Sequence, residues 1–402
     1  MAMRTRISLG VLVALFIAAL ATGGVFSYQQ VQAPSILSQQ QVLPATKTPF
    51  QPEAQMIQNA INPTGSLKRP ERAAAEASRN TTLPYTYDAT LCGTVIDSGP
   101  HFKCLQSYYQ KLVDSFSIDI AFSDLKKRYN TDTFVVAQCH PLTHVIGRQA
   151  VKLYPTVSKA YQHGDSFCWS GYYHGVLEGI VKNIGQENLP KKMDTICADI
   201  PGKATYNFDY YNCVHGLGHG IMELDGDDVF SSLTQCDNLT GDWEKQSCYS
   251  GTFMENVIVF GRDGSSPGLK AEDPIYPCTA VDSKYKFQCY LGQTSFVLSQ
   301  NGGNFKATFG VCAGVEPAFR EVCGQSIGRD AANYANHDAA QTKTTCDLAT
   351  FPQDKTNCVI GAVKEFISYH HAITQANAYC NILPDPDKST CLSTGAIYFK
   401  NF

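Results

Sequence analysis

Several features common in large proteins are missing from this 402-residue chain. It has no surplus of positive charge, because 32 basic residues stand against 36 acidic ones and give a formal net charge of −4. Nucleic-acid-binding proteins usually carry a basic excess or stripe, so the composition argues against a nucleic-acid partner. Charged residues are only 17% and apolar residues 44%, which excludes a chain that is disordered throughout.

The signatures of several enzyme classes are missing as well. No His-Glu-x-x-His occurs, which disfavours zinc-protease chemistry, and no Cys-x-x-Cys occurs, which disfavours a thioredoxin-type role. There is no phosphate-cradling glycine-rich loop of the P-loop or dinucleotide type. Whatever chemistry the chain supports must therefore come from residues outside these motifs.

The N-terminal part is distinct from the rest. An uncharged run of twenty residues, Ile7–Phe26, follows Arg4 and Arg6 and is long enough to span a bilayer as a helix. Residues 1–28 are therefore either a signal anchor or a signal peptide cleaved near Ala19-Leu20-Ala21. Residues 29–83, rich in Pro and Gln and free of Cys, are typical of a flexible tether. The anchor and the cleaved signal peptide both place residues 84–402 outside the cytoplasm, anchored to the membrane or secreted. The third alternative, a buried core helix of a cytosolic protein, is disfavoured by the charged leader and the polar tether.

All 16 cysteines lie beyond this tether, and their even number in an exported chain predicts a disulfide framework. Six neighbouring pairs are 11 or 12 residues apart, a seventh is 16 apart, and Cys139 and Cys168 are left over. We expect those two to pair with each other, although free thiols that ligate a metal are the alternative. The predicted bonds are Cys92–Cys104, Cys139–Cys168, Cys197–Cys213, Cys236–Cys248, Cys278–Cys289, Cys312–Cys323, Cys346–Cys358 and Cys380–Cys391.

The second cysteine of successive pairs recurs about every 35 residues, which is the length of a helix–turn–helix repeat. This cysteine often opens a Cys-x-x-Gly followed by an apolar helical run, as at Cys248 and Gly251. The first cysteine closes the preceding helix, as Cys236 does. We therefore predict an all-α solenoid of about eight helix pairs, in which each disulfide joins the end of one helix to the start of the next.

This period, the glycine placement and the single cysteine pair per repeat resemble cysteine-stapled Sel1-like repeat proteins, which are relatives of the tetratricopeptide repeat. The resemblance covers roughly residues 90–402. The cysteine gap is wider here than in that family, and its small-residue consensus is mostly absent. It implies an α-solenoid and carries over no active site, since those families mostly bind partners.

Histidine is concentrated between Cys139 and Met222. Two segments share the pattern Cys-x-x-Gly-x-x-His-Gly-Φ-Φ-Glu, where Φ is apolar, and a third carries two histidines four residues apart. Residues at i and i+4 share one helix face, which is the arrangement of helical metal sites. At the next repeat Met254 takes the histidine position, followed by Glu255. The candidate ligands are His140, His144, His174, Glu178, His215, His219 and Glu223.

Two hypotheses follow for this block. In the first, the seven side chains hold Zn, Fe, Mn or Cu, and an ion with an open position could activate water or oxygen. The rings of His144, His174 and His219 must then converge, although neighbouring helix axes are about 8–10 Å apart. In the second, the histidines form a structural hydrogen-bond network, and the solenoid binds a protein or peptide on its concave face without catalysis. Arg148 either binds an anionic group near this block or caps a helix.

Overall fold

A computed structural model describes Cys92 and residues 98–263 and 265–401. Apart from one isolated bridge between Lys270 and Asp273, the regular structure in these residues is helical, so the all-α class is confirmed. The leader at 1–28 and the tether at 29–83 lie outside the described residues. Among the helices that are described, none is both long and apolar enough to cross a bilayer.

Seventeen α-helices and two short 3-10 helices make up the described part of the chain. The 3-10 helices are Leu189–Lys191 and Pro317–Phe319. In chain order the α-helices are α1 Ser98–Ser115, α2 Ile118–Tyr129, α3 Thr133–Ala137, α4 Cys139–Leu153, α5 Val157–Tyr161, α6 Gly171–Ile184, α7 Met193–Ile196, α8 Phe208–Leu224, α9 Val229–Cys236, α10 Asp242–Asp263, α11 Ser283–Gln300, α12 Phe305–Gly314, α13 Arg320–Tyr334, α14 Ala339–Cys346, α15 Pro352–His370, α16 Ile373–Asn381 and α17 Asp387–Asn401.

The long helices form a continuous array in which each packs against the next: α4 on α6, then α8, α10, α11, α13, α15 and α17. Shorter helices lie between them in the chain, and α9, α12, α14 and α16 pack beside the long helices they connect. One connection differs, because the described residues between α10 and α11 form turns instead of a short helix. The repeated pairing of a short and a long helix is the architecture that the cysteine spacing predicts.

The eight disulfides pair as predicted, and none of the cysteines is free. At α9, α12, α14 and α16 the bond joins the short helix to the following long one. Cys236, the last residue of α9, is bonded to Cys248 in α10, and their Cα atoms are 5.8 Å apart. Closing a loop of this size contributes about 3 kcal/mol in the chain-entropy view. Cys139 and Cys168 are also bonded, so the free-thiol alternative for them is wrong.

Three pairs of long helices approach each other at glycines. A Cβ on Gly175 would overlap the backbone carbonyl of His144, and a Cβ on Gly251 would overlap that of His215. Only glycine allows backbones to come this close, which outweighs its cost of about 1 kcal/mol inside a helix. The glycine pairs at these crossings are Gly147 with Gly175, Gly218 with Gly251, and Gly328 with Gly361.

The array curves so that early and late segments meet. The indole Nε1 of Trp169, just before α6, donates to Oε1 of Glu365 on α15 at 2.8 Å, across 196 residues of sequence. The hydroxyls of Tyr129 and Tyr369 lie 3.4 Å apart, and α1 also contacts α10. The segment just before α6 and the C-terminal end of α2 therefore contact α15, from the other half of the domain.

Candidate metal centre

Five histidines from three consecutive long helices converge in one cluster. Helix α4 contributes His140 and His144, α6 contributes His174, and α8 contributes His215 and His219. The ring centroids of His144, His174 and His219 lie 4.6–5.5 Å from one another. The convergence that a metal site requires is thus present, and we call these five residues the histidine cluster.

Local sequence explains the direction of the rings. His140 and His144 are four residues apart on α4, as His215 and His219 are on α8, so each pair shares one helix face. The side chain of Asn207 accepts from an amide of the first turn and sets the start of α8. The glycine crossings then bring these faces toward the neighbouring helices, which is why rings from separate repeats reach each other.

The α4 pair has a distinctive hydrogen-bond pattern. The Nδ1 of His140 donates to the backbone carbonyl of Cys168 at 2.8 Å, and the Nδ1 of His144 donates to Oε1 of Glu178 at 2.5 Å. The two Nε2 atoms face each other at 2.9 Å. When both rings are neutral with their protons on Nδ1, the Nε2 lone pairs of His140 and His144 face each other. Such lone pairs repel unless a cation lies between them.

The α8 pair repeats this arrangement. The Nδ1 of His219 donates to Oε2 of Glu255 at 2.7 Å, and the Nδ1 of His215 is hydrogen-bonded to the hydroxyl of Tyr211 at 3.2 Å. The two Nε2 atoms again face each other, at 3.1 Å. Ligands with metal–nitrogen bonds of about 2.0–2.1 Å on adjacent coordination positions are roughly 3 Å apart, so both separations suit a shared metal ion.

His174 lies between the two pairs. Its side chain is 3% exposed, and neither ring nitrogen has a hydrogen-bond partner among the described residues. Its ring stacks on that of His219, and its centroid is 5.4 Å from that of His140 and 4.9 Å from that of His215. An unpartnered buried polar atom costs about 1–3 kcal/mol, so this residue type is unfavourable for stability alone.

Electrostatics keeps these rings in the form that binds metals. Burial, reinforced by the neighbouring imidazoles, lowers the pKa of His140 and of His215 to about 3. The same causes hold the pKa of His174 and of His219 well below the usual range. These four rings are therefore neutral at physiological pH, and neutral imidazole is the ligand form.

The carboxylate of Glu178 orients His144 and not His174, its neighbour on the same helix. It accepts from the Nδ1 of His144 and from the Nη1 of Arg148. Burial alone would raise the pKa of Glu178, but the charges of those two neighbours hold the pKa well below its usual range. Arg148, for which the sequence allowed anion binding or helix capping, binds this carboxylate.

Glu223 is one of the predicted ligands, but it does not lie with the histidine cluster. Its side chain is 36% exposed, and its carboxylate pairs with the Nζ of Lys182 at 3.3 Å, away from the histidines. The carboxylate beside His219 comes instead from Glu255 on α10, whose exposure is only 4%. The prediction missed Glu255 because Met254 occupies the histidine position of that repeat. The available signal was an acidic residue one position further along, in the mostly apolar run of residues 253–260.

Donor atoms in the cluster form three overlapping groups, each within 4.8 Å. They are His140, His144 and His174; His174, His215 and His219; and His144, Glu178, His219 and Glu255. Apart from Glu223, every predicted ligand therefore belongs to at least one group.

A cavity of about 330 Å³ lies beside the cluster, with Phe167, Trp169 and Tyr369 among its lining residues. The Trp169 ring is 6.5 Å from that of His140, which is the partly exposed member of the cluster. Cys168, whose carbonyl accepts from His140, also lines the cavity. Residues 168–170 all have positive φ, between 53° and 60°, which is costly for non-glycine residues and recurs at functional sites. No feature of the sequence predicts this cavity.

No protein-family model matches the chain, and no match was found among curated proteins or among solved structures. The likeness to Sel1-like repeats stays a prediction from architecture. The functional conclusion therefore depends on the geometry and chemistry of the side chains described above.

Proposed function

We propose that this protein is an extracytoplasmic helical repeat protein that binds a transition metal in its histidine cluster. The observation that carries the proposal is the orientation of the rings. His140 and His144 use Nδ1 for hydrogen bonds and direct their Nε2 atoms at each other, while His174 has no partner at either nitrogen. A structural network would pair donors with acceptors, whereas a metal site needs lone pairs that converge.

The donor set favours particular metals. The carboxylates of Glu178 and Glu255 accept protons from Nδ1 atoms, an arrangement that fixes the tautomer and raises the basicity of a metal-binding imidazole. The nearest donors to an ion are then imidazole nitrogens, which suit Zn, Cu and Fe. Mn prefers oxygen ligands, so it is the least favoured of the metals considered from the sequence.

The compartment agrees with this function. Eight disulfides form and persist in an oxidising environment outside the cytoplasm. The uncharged segment of residues 7–26 supports attachment to the membrane or secretion through it. We therefore place the metal centre on the outer side of the membrane, where it meets external metal ions and small molecules.

A catalytic role for the centre is supported by the cavity. Its lining includes Trp169 and Cys168, the residue whose carbonyl accepts from His140, so a small molecule could approach this side of the cluster. A bound ion with an open position would supply Lewis acidity there. The protein residues would orient the ligands and exclude bulk water, since His144, His174, His215 and His219 are at most 3% exposed.

Metal analysis of the full chain, exported and purified with its disulfides intact, tests the proposal. We expect at least one ion per chain after loading with Zn²⁺ and desalting, and little in the variant that combines His144→Ala with His219→Ala. His371→Ala, outside the cluster, is the matched control and keeps its metal. Well under one ion in the wild type would contradict metal binding and leave the peptide-binding solenoid as the better hypothesis.

A further inference from the structure

We propose that the centre holds two metal ions and that His174 bridges them, giving Nδ1 to one and Nε2 to the other. This inference rests on the proposed metal-binding function and adds its stoichiometry and its bridging ligand. It follows from three features of the cluster: its division into two halves, the unpartnered ring between them, and the placement of the carboxylates.

The cluster divides into two sets of three histidines that share His174. One set adds His140 and His144 from α4, and the other adds His215 and His219 from α8. Within each set the donor atoms lie within 4.8 Å of one another, and each pair has its own facing Nε2 atoms, at 2.9 Å and 3.1 Å. Each set therefore offers three nitrogen donors from two helices, enough for an ion with a further position open. Because the His174 ring is stacked on that of His219, it must turn out of this stack to direct a lone pair at an ion held by the α8 pair.

His174 differs from the other four rings in its hydrogen bonding. Each of those rings has one nitrogen hydrogen-bonded to a carbonyl, a carboxylate or a hydroxyl, and the other directed at its pair. That is the pattern of a terminal ligand, which binds through one nitrogen and hydrogen-bonds through the other. His174 has no such partner at either nitrogen. A terminal ligand would leave one of its nitrogens buried and unsatisfied, whereas a bridge uses both.

The charges are divided in the same way. Glu178 holds a histidine of the α4 pair, and Glu255 holds a histidine of the α8 pair, so each ion has one carboxylate behind a ligand. When the second ion binds, the proton remaining on the His174 ring leaves to solvent. The resulting imidazolate carries a negative charge midway between two cations, which reduces their mutual repulsion.

Copper loading of the full chain tests the bridge, because two Cu²⁺ ions joined by imidazolate couple magnetically. We expect two Cu²⁺ per chain and an electron paramagnetic resonance signal much weaker than two isolated ions would give. The double variant His140→Ala with His144→Ala should retain one Cu²⁺ with the full signal of an isolated ion. His174→Leu, similar in size, should lose the coupling, and His371→Ala should behave as wild type.

The outcomes distinguish failure of the two-ion bridge from failure of the proposed metal-binding function. One Cu²⁺ per chain, or two with the full signal of isolated ions, overturns the bridge and leaves a metal centre in place. No bound Cu²⁺ overturns the bridge, and a parallel failure with Zn²⁺ overturns the proposed function. Near-ultraviolet circular dichroism shows whether each variant is folded. If a variant is not folded, the number of Cu²⁺ ions bound by the wild type and the strength of its electron paramagnetic resonance signal still decide whether the bridge exists.

Discussion

Replacing His174 by leucine distinguishes a metal ligand from a structural histidine, because the two roles predict opposite changes in the stability of the metal-free protein. Both ring nitrogens are buried without partners, and each such atom costs about 1–3 kcal/mol. Leucine removes both polar atoms at similar size. The ring also stacks on His219, and losing that contact costs about 0.5–1.5 kcal/mol. The net expectation is a metal-free variant more stable by about 0.5–5.5 kcal/mol.

Thermal unfolding with the disulfides intact measures this change. After chelation, we expect the midpoint of the leucine variant to lie above that of the wild type, by about 2 °C or slightly more for each kcal/mol. Saturating Zn²⁺ should then reverse the order. A ligand at 100 times its dissociation constant stabilises the wild type by about 2.7 kcal/mol, and the variant should gain much less.

The opposite result would refute the reasoning. If the metal-free leucine variant is less stable than the wild type, and Zn²⁺ stabilises the two equally, then His174 is a packing residue and its unpartnered nitrogens are not evidence for a ligand. His371→Leu provides the control, and its response to Zn²⁺ should equal that of the wild type.

Three further predictions test the surroundings of the cluster. Glu255→Gln should weaken metal affinity roughly 10- to 100-fold by calorimetry, whereas Glu223→Gln should not; equal effects would contradict the assignment of Glu255. Gly175→Ala should lower the urea midpoint by the equivalent of about 1–3 kcal/mol, because its Cβ overlaps the backbone of α4. Gly292→Ala, whose nearest neighbour would be 3.8 Å away, should be neutral or gain up to about 1 kcal/mol, and similar losses in both would argue against a close crossing. Trp169→Ala should speed azide binding to the copper-loaded centre in stopped-flow measurements; an unchanged rate would mean that the cavity is not the route.

The repeats and the disulfides were predictable because both are local. Cys236 and Cys248 are only 12 residues apart, so the end of one helix and the start of the next cannot be far separated. The convergence of the histidines was also accessible, since a motif that recurs in successive repeats places its side chains on corresponding faces of adjacent helices.

Which acidic residue pairs with which histidine could not be predicted from the sequence. Spacing along one helix suggested His219 with Glu223, yet the hydrogen bond runs across helices to Glu255. Which of these forms depends on the angle and closeness of the crossing at Gly218 and Gly251, which no spacing along one chain segment specifies. The contact between Trp169 and Glu365 is even harder to predict from the sequence, because it depends on the curvature that accumulates over several repeats.

The crossing of α13 and α15 has the same register as that of α8 and α10, counted from their glycines. We compare three positions in each crossing, taking Gly218 or Gly328 as the first glycine and Gly251 or Gly361 as the second. They lie three residues before the first glycine, one residue after it, and four residues after the second glycine. The residues at these positions are His215 and Gln325, His219 and Arg329, and Glu255 and Glu365.

The acid is common to both crossings, but its partner differs. Glu255 accepts from His219 within the cluster, while Glu365 accepts from Trp169 beside the cavity. Gln325, in place of a histidine, accepts from Lys364 at 3.0 Å instead of facing a second ring. One repeat position thus supplies the carboxylate that orients a cluster histidine in one copy and the carboxylate that holds the cavity wall in another. The acidic residue is therefore shared by these two crossings, whereas the crossing of Gly147 with Gly175 has Gly179 at this position and its acid, Glu178, one residue earlier.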